Sequence, residues 1–174
     1  NLIIEVNMNT NYDVIIVGAG PAGIFTALEM KRRGSTDKIL IIEKGKAIEK
    51  RACPKHKVGK CVSCKPCAIT TGFSGAGAFS DGKYNITNDF GGSLYAYIGK
   101  AKALELMHYV DEINMAYGGE GTKLYSTAGS KFKKQCIQNN LHLLDASVRH
   151  LGTDINYVVL ENLYNFLKDK VTFH

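Results

Sequence analysis

Tyr12-Asp-Val-Ile-Ile-Val-Gly-Ala-Gly-Pro-Ala-Gly23 is the stretch on which the reading of this chain turns. Through Val17 it is a continuous run of apolar, mostly β-branched residues, the composition of a strand buried on both faces of a parallel sheet. Pro21 stands at a helix start and Gly34 just past a helix end, so Pro21 to Arg33 is expected to be helical, with Ile24, Ala27 and Leu28 inward. Ile39-Leu-Ile-Ile42 is a second buried strand, and residues 12–43 therefore form one βαβ unit.

Gly18, Gly20 and Gly23 fall in the pattern G-x-G-x-x-G between that strand and that helix, and Glu43 follows 20 residues after Gly23. Context and spacing together make this a dinucleotide-binding fingerprint. Gly18 supplies the tight turn, Gly20 lets backbone approach a pyrophosphate, and Gly23 lets helix and strand pack closely. At the start of the helix, where Pro21 pre-sets the first turn, the unpaired N–H groups of residues such as Ala22 and Gly23 favour an anion. Glu43, with Lys44 beside it, ends the second strand where a carboxylate accepts hydrogen bonds from ribose hydroxyls and disfavours a 2′-phosphate.

The 174 residues suggest about one domain, and 45% hydrophobic with 22% charged residues excludes disorder, collagen and coiled coil. No apolar run nears the roughly 18 residues that span a bilayer, and no membrane partner is expected. With five cysteines and no export signal, the expected compartment is the reducing cytoplasm. The net charge of +6 is concentrated locally: Lys44, Lys46, Lys50, Arg51, Lys55, Lys57, Lys60 and Lys65 face only Glu49. No stacking aromatics are interleaved with these lysines, so nucleic acid is not an expected partner.

Further along, residues 44–92 lack helical or strand periodicity, and a loop that long inside a domain is usually functional. Ser93 to Tyr117 returns to helical spacing, with Leu94, Ile98, Ala101, Leu104, Met107, Val110 and Ile113 on one stripe. Asp111 and Glu112 are expected on its solvated face. A weaker helix is expected over Ser130 to Asn140, a short strand at Leu141 to Leu144, an amphipathic helix over Asp154 to Lys170 with Tyr157, Leu160, Tyr164 and Leu167 inward, and a strand at Val171 to Phe173. Met8 reads as the natural start, residues 1–7 as an extension and residues 8–174 as the domain, with residues 44–92 inserted in it. In His150-Leu-Gly-Thr-Asp154, a turn at Gly152 and a helix cap at Thr153 or Asp154 are preferred to a catalytic role.

Cys53, Cys61, Cys64 and Cys67 have the spacing C-x7-C-x2-C-x2-C. Three readings stay open: four thiolates on zinc or an iron–sulfur cluster, redox-active thiols, or structural thiols. Cys136 is read as incidental.

The fingerprint with Ile42-Glu-Lys-Gly45 resembles the N-terminal FAD-binding half of the glutathione-reductase-like flavoproteins. More narrowly, Arg51-Ala-Cys-Pro54, the spaced cysteines, Gly75-Ala-Gly-Ala-Phe-Ser-Asp-Gly-Lys83 and His150-Leu-Gly-Thr-Asp154 are similar to bacterial FAD-dependent dehydrogenases, also called NAD(FAD)-utilising dehydrogenases. The resemblance implies an α/β Rossmann-type FAD-binding domain with a parallel sheet, incomplete because family members run past this chain's end. It implies a two-electron oxidoreductase with a small-molecule substrate, and NAD(P)H is a candidate second partner. It also implies that Ser74, Gly75, Ala76, Gly77, Ser80, Asp81 and Lys83 lie along the cofactor, with Lys83 offsetting charge on reduced flavin. No catalytic residue is assigned. FAD is expected to be held weakly or not at all by these residues alone, and the open edge of the sheet is expected to self-associate. An NAD-binding domain of the same fold and a non-enzymatic metal or iron–sulfur electron-transfer module are the alternatives.

Overall fold

The computed structural model describes residues 11–174. The expected start at Met8 and the extension over residues 1–7 lie outside the described residues. The chain forms two compact units, one from residues up to Gly75 together with Leu163–His174, the other Ala76–Asn162.

The first unit carries a parallel three-stranded sheet in the order β1-β2-β6, with β1 at Val14–Val17, β2 at Ile39–Ile42 and β6 at Thr172–Phe173. Register is set by Val14 beside Ile39, Val17 beside Ile42 and Ile41 beside Phe173. Between β1 and β2 runs helix α1, Pro21–Arg32, which buries Ile24, Ala27 and Leu28 as its spacing predicts. Ile39, Leu40 and Ile41 of β2 are buried as well, since that strand is the central one. Strand β1 alternates instead: Ile15 is 58% and Val17 84% exposed. The apolar run thus marks a strand covered on one face only. A short helix, α2 at Lys55–Val58, ends at Gly59.

The second unit is built on an antiparallel sheet in the order β3-β5-β4. Its strands are β3 at Lys83–Ile86, β4 at Leu124–Ser126 and β5 at Ser147–His150. Helix α3, Tyr95–Ile98, is separated from α4, Lys100–Asn114, by Gly99 in a positive-φ, non-helical conformation at φ 83° and ψ 153°. The single helix expected over Ser93 to Tyr117 is therefore broken, and its stripe shifts. Ala103, Asp111, Ile113 and Asn114 are buried, whereas Leu94 is exposed.

Asp111 is not on a solvated face: Arg149 grips it with Nε–Oδ1 at 3.0 Å and Nη2–Oδ2 at 2.7 Å. Helix α5 is Phe132–Gln138. Leu141 to Leu144 forms no strand, and the pairing segment is β5, six residues on. Helix α6, Gly152–Lys168, buries Asn156, Val159, Leu160, Leu163 and Leu167. No described helix is long and apolar enough to cross a membrane.

Candidate functional site: the glycine turn and Glu43

The end of β2 brings Glu43 to the glycine turn. Its backbone N–H donates to the His174 carbonyl at 2.8 Å, which continues the pairing of β2 with the chain beyond β6. Its carboxylate is gripped twice: Oε2 accepts from the Ala19 N–H and Oε1 from the Gly45 N–H, both at 2.8 Å. Each oxygen keeps a further lone-pair direction for another donor.

The turn itself follows from its glycines. Gly18 has φ +95°, a conformation that side chains resist, and a Cβ at Gly18 or Gly20 would meet nothing within 4 Å. A Cβ at Gly23 would instead overlap the Gly18 carbonyl oxygen and touch Ile16, so this glycine permits the close crossing of α1 over β1. Gly20 caps α1 with no side-chain hydrogen bond and Pro21 follows at the first helical position. The helix therefore opens toward solvent with its first N–H groups free of side-chain caps.

Ala19, completely buried, joins a third segment to this corner. Its carbonyl accepts from the Ser74 N–H at 2.7 Å, while its own N–H serves Glu43. Ser74 is 3% exposed and has φ +68°. Nearby, Phe73 N–H donates to the Lys46 carbonyl at 3.0 Å, and Gly45 passes so close to Gly72 that a Cβ would overlap its backbone.

Arg51 holds this arrangement from inside. It is 5% exposed, and its guanidinium donates to the carbonyls of Ala68, Ile69, Phe73 and Gly75 at 2.6 to 2.9 Å. Burial lowers the Arg51 pKa, opposed chiefly by the charge of Glu43. Phe73 meets Tyr164 and Phe173 edge to face and those two rings are tilted against each other, with centroids 5.2 to 6.0 Å apart, and with Glu43 the three line a small cavity of about 110 Å³.

In the sequence Arg51 counted only as one of the basic residues and as part of a resemblance. A buried arginine among lysines has no distinguishing spacing when its partners are backbone carbonyls.

Of the remaining expected site residues, Gly18, Gly20, Gly23, Glu43 and Ser74 converge in the first unit, with Pro21 and Ala22 opening α1. Lys44 is exposed at the start of the loop. In the second unit, Ala76 and Gly77 lie in a 3₁₀ turn that spans Gly75–Phe79. Ser80 Oγ donates to the Gly77 carbonyl at 2.9 Å. Lys83 and Asp81 form an ion pair at 2.6 Å, both side chains more than half exposed, and Lys83 holds the Asp81 carboxyl below its usual range. The positive charge of Lys83 is thus shared with a neighbouring acid.

The cysteines are not assembled as ligands. Among the described residues no group of three or more His, Cys, Asp or Glu side chains is placed to hold a metal ion, so the zinc or iron–sulfur reading of Cys53, Cys61, Cys64 and Cys67 has no geometric support. Three of them sit in separate local turns. The Cys53 carbonyl accepts from His56, Cys61 Sγ lies 3.5 Å from the Ser63 N–H, and the Cys67 carbonyl accepts from Thr70 and Thr71. All are free thiols, Cys61 and Cys67 exposed.

A parallel sheet with a G-x-G-x-x-G turn and an acid at the end of the second strand defines a Rossmann-type dinucleotide-binding protein. The chain belongs to the pyridine nucleotide-disulphide oxidoreductase family, which it matches over residues 12–144. A comparison with curated proteins gives no match. Among solved structures it is similar to L-amino acid deaminase from Proteus vulgaris, at 14% identity and a TM-score of 0.34, over 94% of this chain and 40% of that one. It is also similar to L-amino acid deaminase from Proteus myxofaciens in complex with anthranilate, at 16% identity and a TM-score of 0.29, over 94% and 38%. This chain spans about two fifths of the length of those structures.

Proposed function

We propose that this chain is the FAD-binding portion of an oxidoreductase that passes two electrons between a nicotinamide cofactor and a small-molecule substrate. The observation that carries the reading is the Glu43 carboxylate, fixed by the Ala19 and Gly45 N–H groups beside an uncapped α1. The residues present fit an adenine dinucleotide: open space lies over Gly18 and Gly20, and the helix start favours a pyrophosphate. Bound FAD supplies hydride chemistry at its flavin ring. The protein's own part is positional. Glu43 would accept from ribose hydroxyls, and the α1 N–H groups would donate to phosphate oxygens.

Flavin fluorescence on titration with FAD up to millimolar concentrations tests this. Glu43→Ala removes charge-assisted hydrogen bonds and should weaken FAD binding about 10- to 100-fold. Equal affinity in the variant, or tighter binding of NAD than of FAD, sinks the assignment. The second outcome would favour an NAD-binding domain instead.

A further inference from the structure

Residues 121–144, all within the second unit, hold four lysines, Lys123, Lys131, Lys133 and Lys134, and no aspartate or glutamate. The same stretch exposes apolar side chains. Leu124, Tyr125, Phe132, Ile137, Leu141 and Leu144 are each between 38% and 65% exposed. They come from three successive pieces of chain: strand β4, whose residues are all exposed, helix α5, which buries none of its seven, and the turn that follows. Short helices depend on packing to persist, and this one has its apolar side chains in solvent.

At helical spacing Phe132 and Cys136 share one face of α5 with Ile137 beside it, while Lys134, Gln135 and Gln138 turn the other way. The helix is amphipathic. Lys133 stands on the border, its ammonium held by Asp145 at 2.7 Å. Two other lysines sit by rings instead: Lys123 Nζ is 4.8 Å from the Tyr125 centroid and Lys131 Nζ 5.4 Å from that of Phe132. Ring and ammonium are thus presented together, the ring suited to an acyl boundary and the ammonium to a headgroup phosphate.

Charge decides among the occupants. A second copy docked through the same segment would set four lysines against four, and like charges so placed repel. Peptide grooves are concave, whereas these side chains stand out from a strand, a helix and a turn that bury none of them. We propose that residues 123–144 dock on an anionic lipid surface, with α5 lying in the interface, Phe132 and Ile137 among the acyl chains and the lysines at the headgroups. That no described helix can cross a bilayer has no bearing on one that lies along it. The proposal does not depend on the dinucleotide reading.

The chain has no tryptophan, so Phe132→Trp places one indole on the face in question. Vesicles of phosphatidylcholine with about one quarter phosphatidylserine should shift its emission to the blue and carry the chain down on sedimentation. Phosphatidylcholine alone should do neither. Lys131→Gln with Lys134→Gln should lower the partition coefficient about 25-fold, about fivefold per lysine, and Ile137→Ser about tenfold. All three side chains are exposed, so unfolding in urea should be unchanged, which separates lost docking from lost folding.

Sedimentation without a blue shift would mean that another face meets the lipid, and equal binding to phosphatidylcholine alone that charge has no part in it. Either result overturns the proposal, as does failure to bind the anionic vesicles at all. A blue shift with polyglutamate but not with vesicles overturns it too, and assigns the segment to an acidic polypeptide.

Discussion

The sulfur of Cys67 sits on a turn whose amides face it. Hydrogen bonds from the backbone of Ile69 and Thr70, then the Thr70 side chain, with the Arg51 charge behind them, lower its pKa below the ordinary thiol value. The thiolate therefore persists to a lower pH than that of an unperturbed cysteine, partial burial opposing the shift. Alkylation of Cys67 by iodoacetamide, followed peptide by peptide against pH, should show a midpoint below that of the same peptide in denaturant. Thr70→Val should move the midpoint back up, and coincident midpoints would refute the turn's effect.

At this scale the sequence speaks clearly where chemistry has a spacing. Glu43 is legible because 20 residues separate it from Gly23. Arg51 is not, because it binds backbone carbonyls, which any residue offers at any position.

Arg51 acts on an element as a strut. Its four carbonyl partners span Ala68 to Gly75, a segment with no ladder of its own beyond the bridge of Lys46 to Gly72. Arg51→Met keeps the stem and leaves those carbonyls without their donor, so unfolding in urea should lose about 2–5 kcal/mol. A loss near zero would mean that water replaces the guanidinium without cost.

Elements were legible in proportion to their regularity. β1, α1 and β2 are read within two residues of their ends from apolar runs and a proline, whereas β3 and β5, of the same length as β1 and β2, mix polar and charged residues with apolar ones. Strand β5 carries Arg149, whose charge hides the apolar pattern and which donates to Asp111 on α4 and to the Thr122 carbonyl. Gly99 breaks a helix whose spacing continues across it, because periodicity does not register a single residue's φ.

For the whole molecule, the exposed face of β1 is the feature with consequences in solution. Ile15, Val17 and Ile42 present an apolar surface, and β1 pairs with β2 alone among the described strands. Such an edge invites association. We expect this chain to self-associate in sedimentation experiments at tens of micromolar, and Ile15→Lys to raise the monomer fraction. A parent chain that stays monomeric at that concentration would show that the edge is harmless.

The connectivity adds a constraint on synthesis. The second unit is one continuous stretch, Ala76–Asn162, whereas the first closes only when Leu163–His174 arrives to lay β6 against β2. Chains leave the ribosome at roughly 5–20 residues per second, and contiguous units fold as they emerge. The later-encoded unit is therefore expected to become protease-resistant first on stalled nascent chains, while the dinucleotide corner waits, its Glu43 already made but the end of β2 still lacking its neighbour.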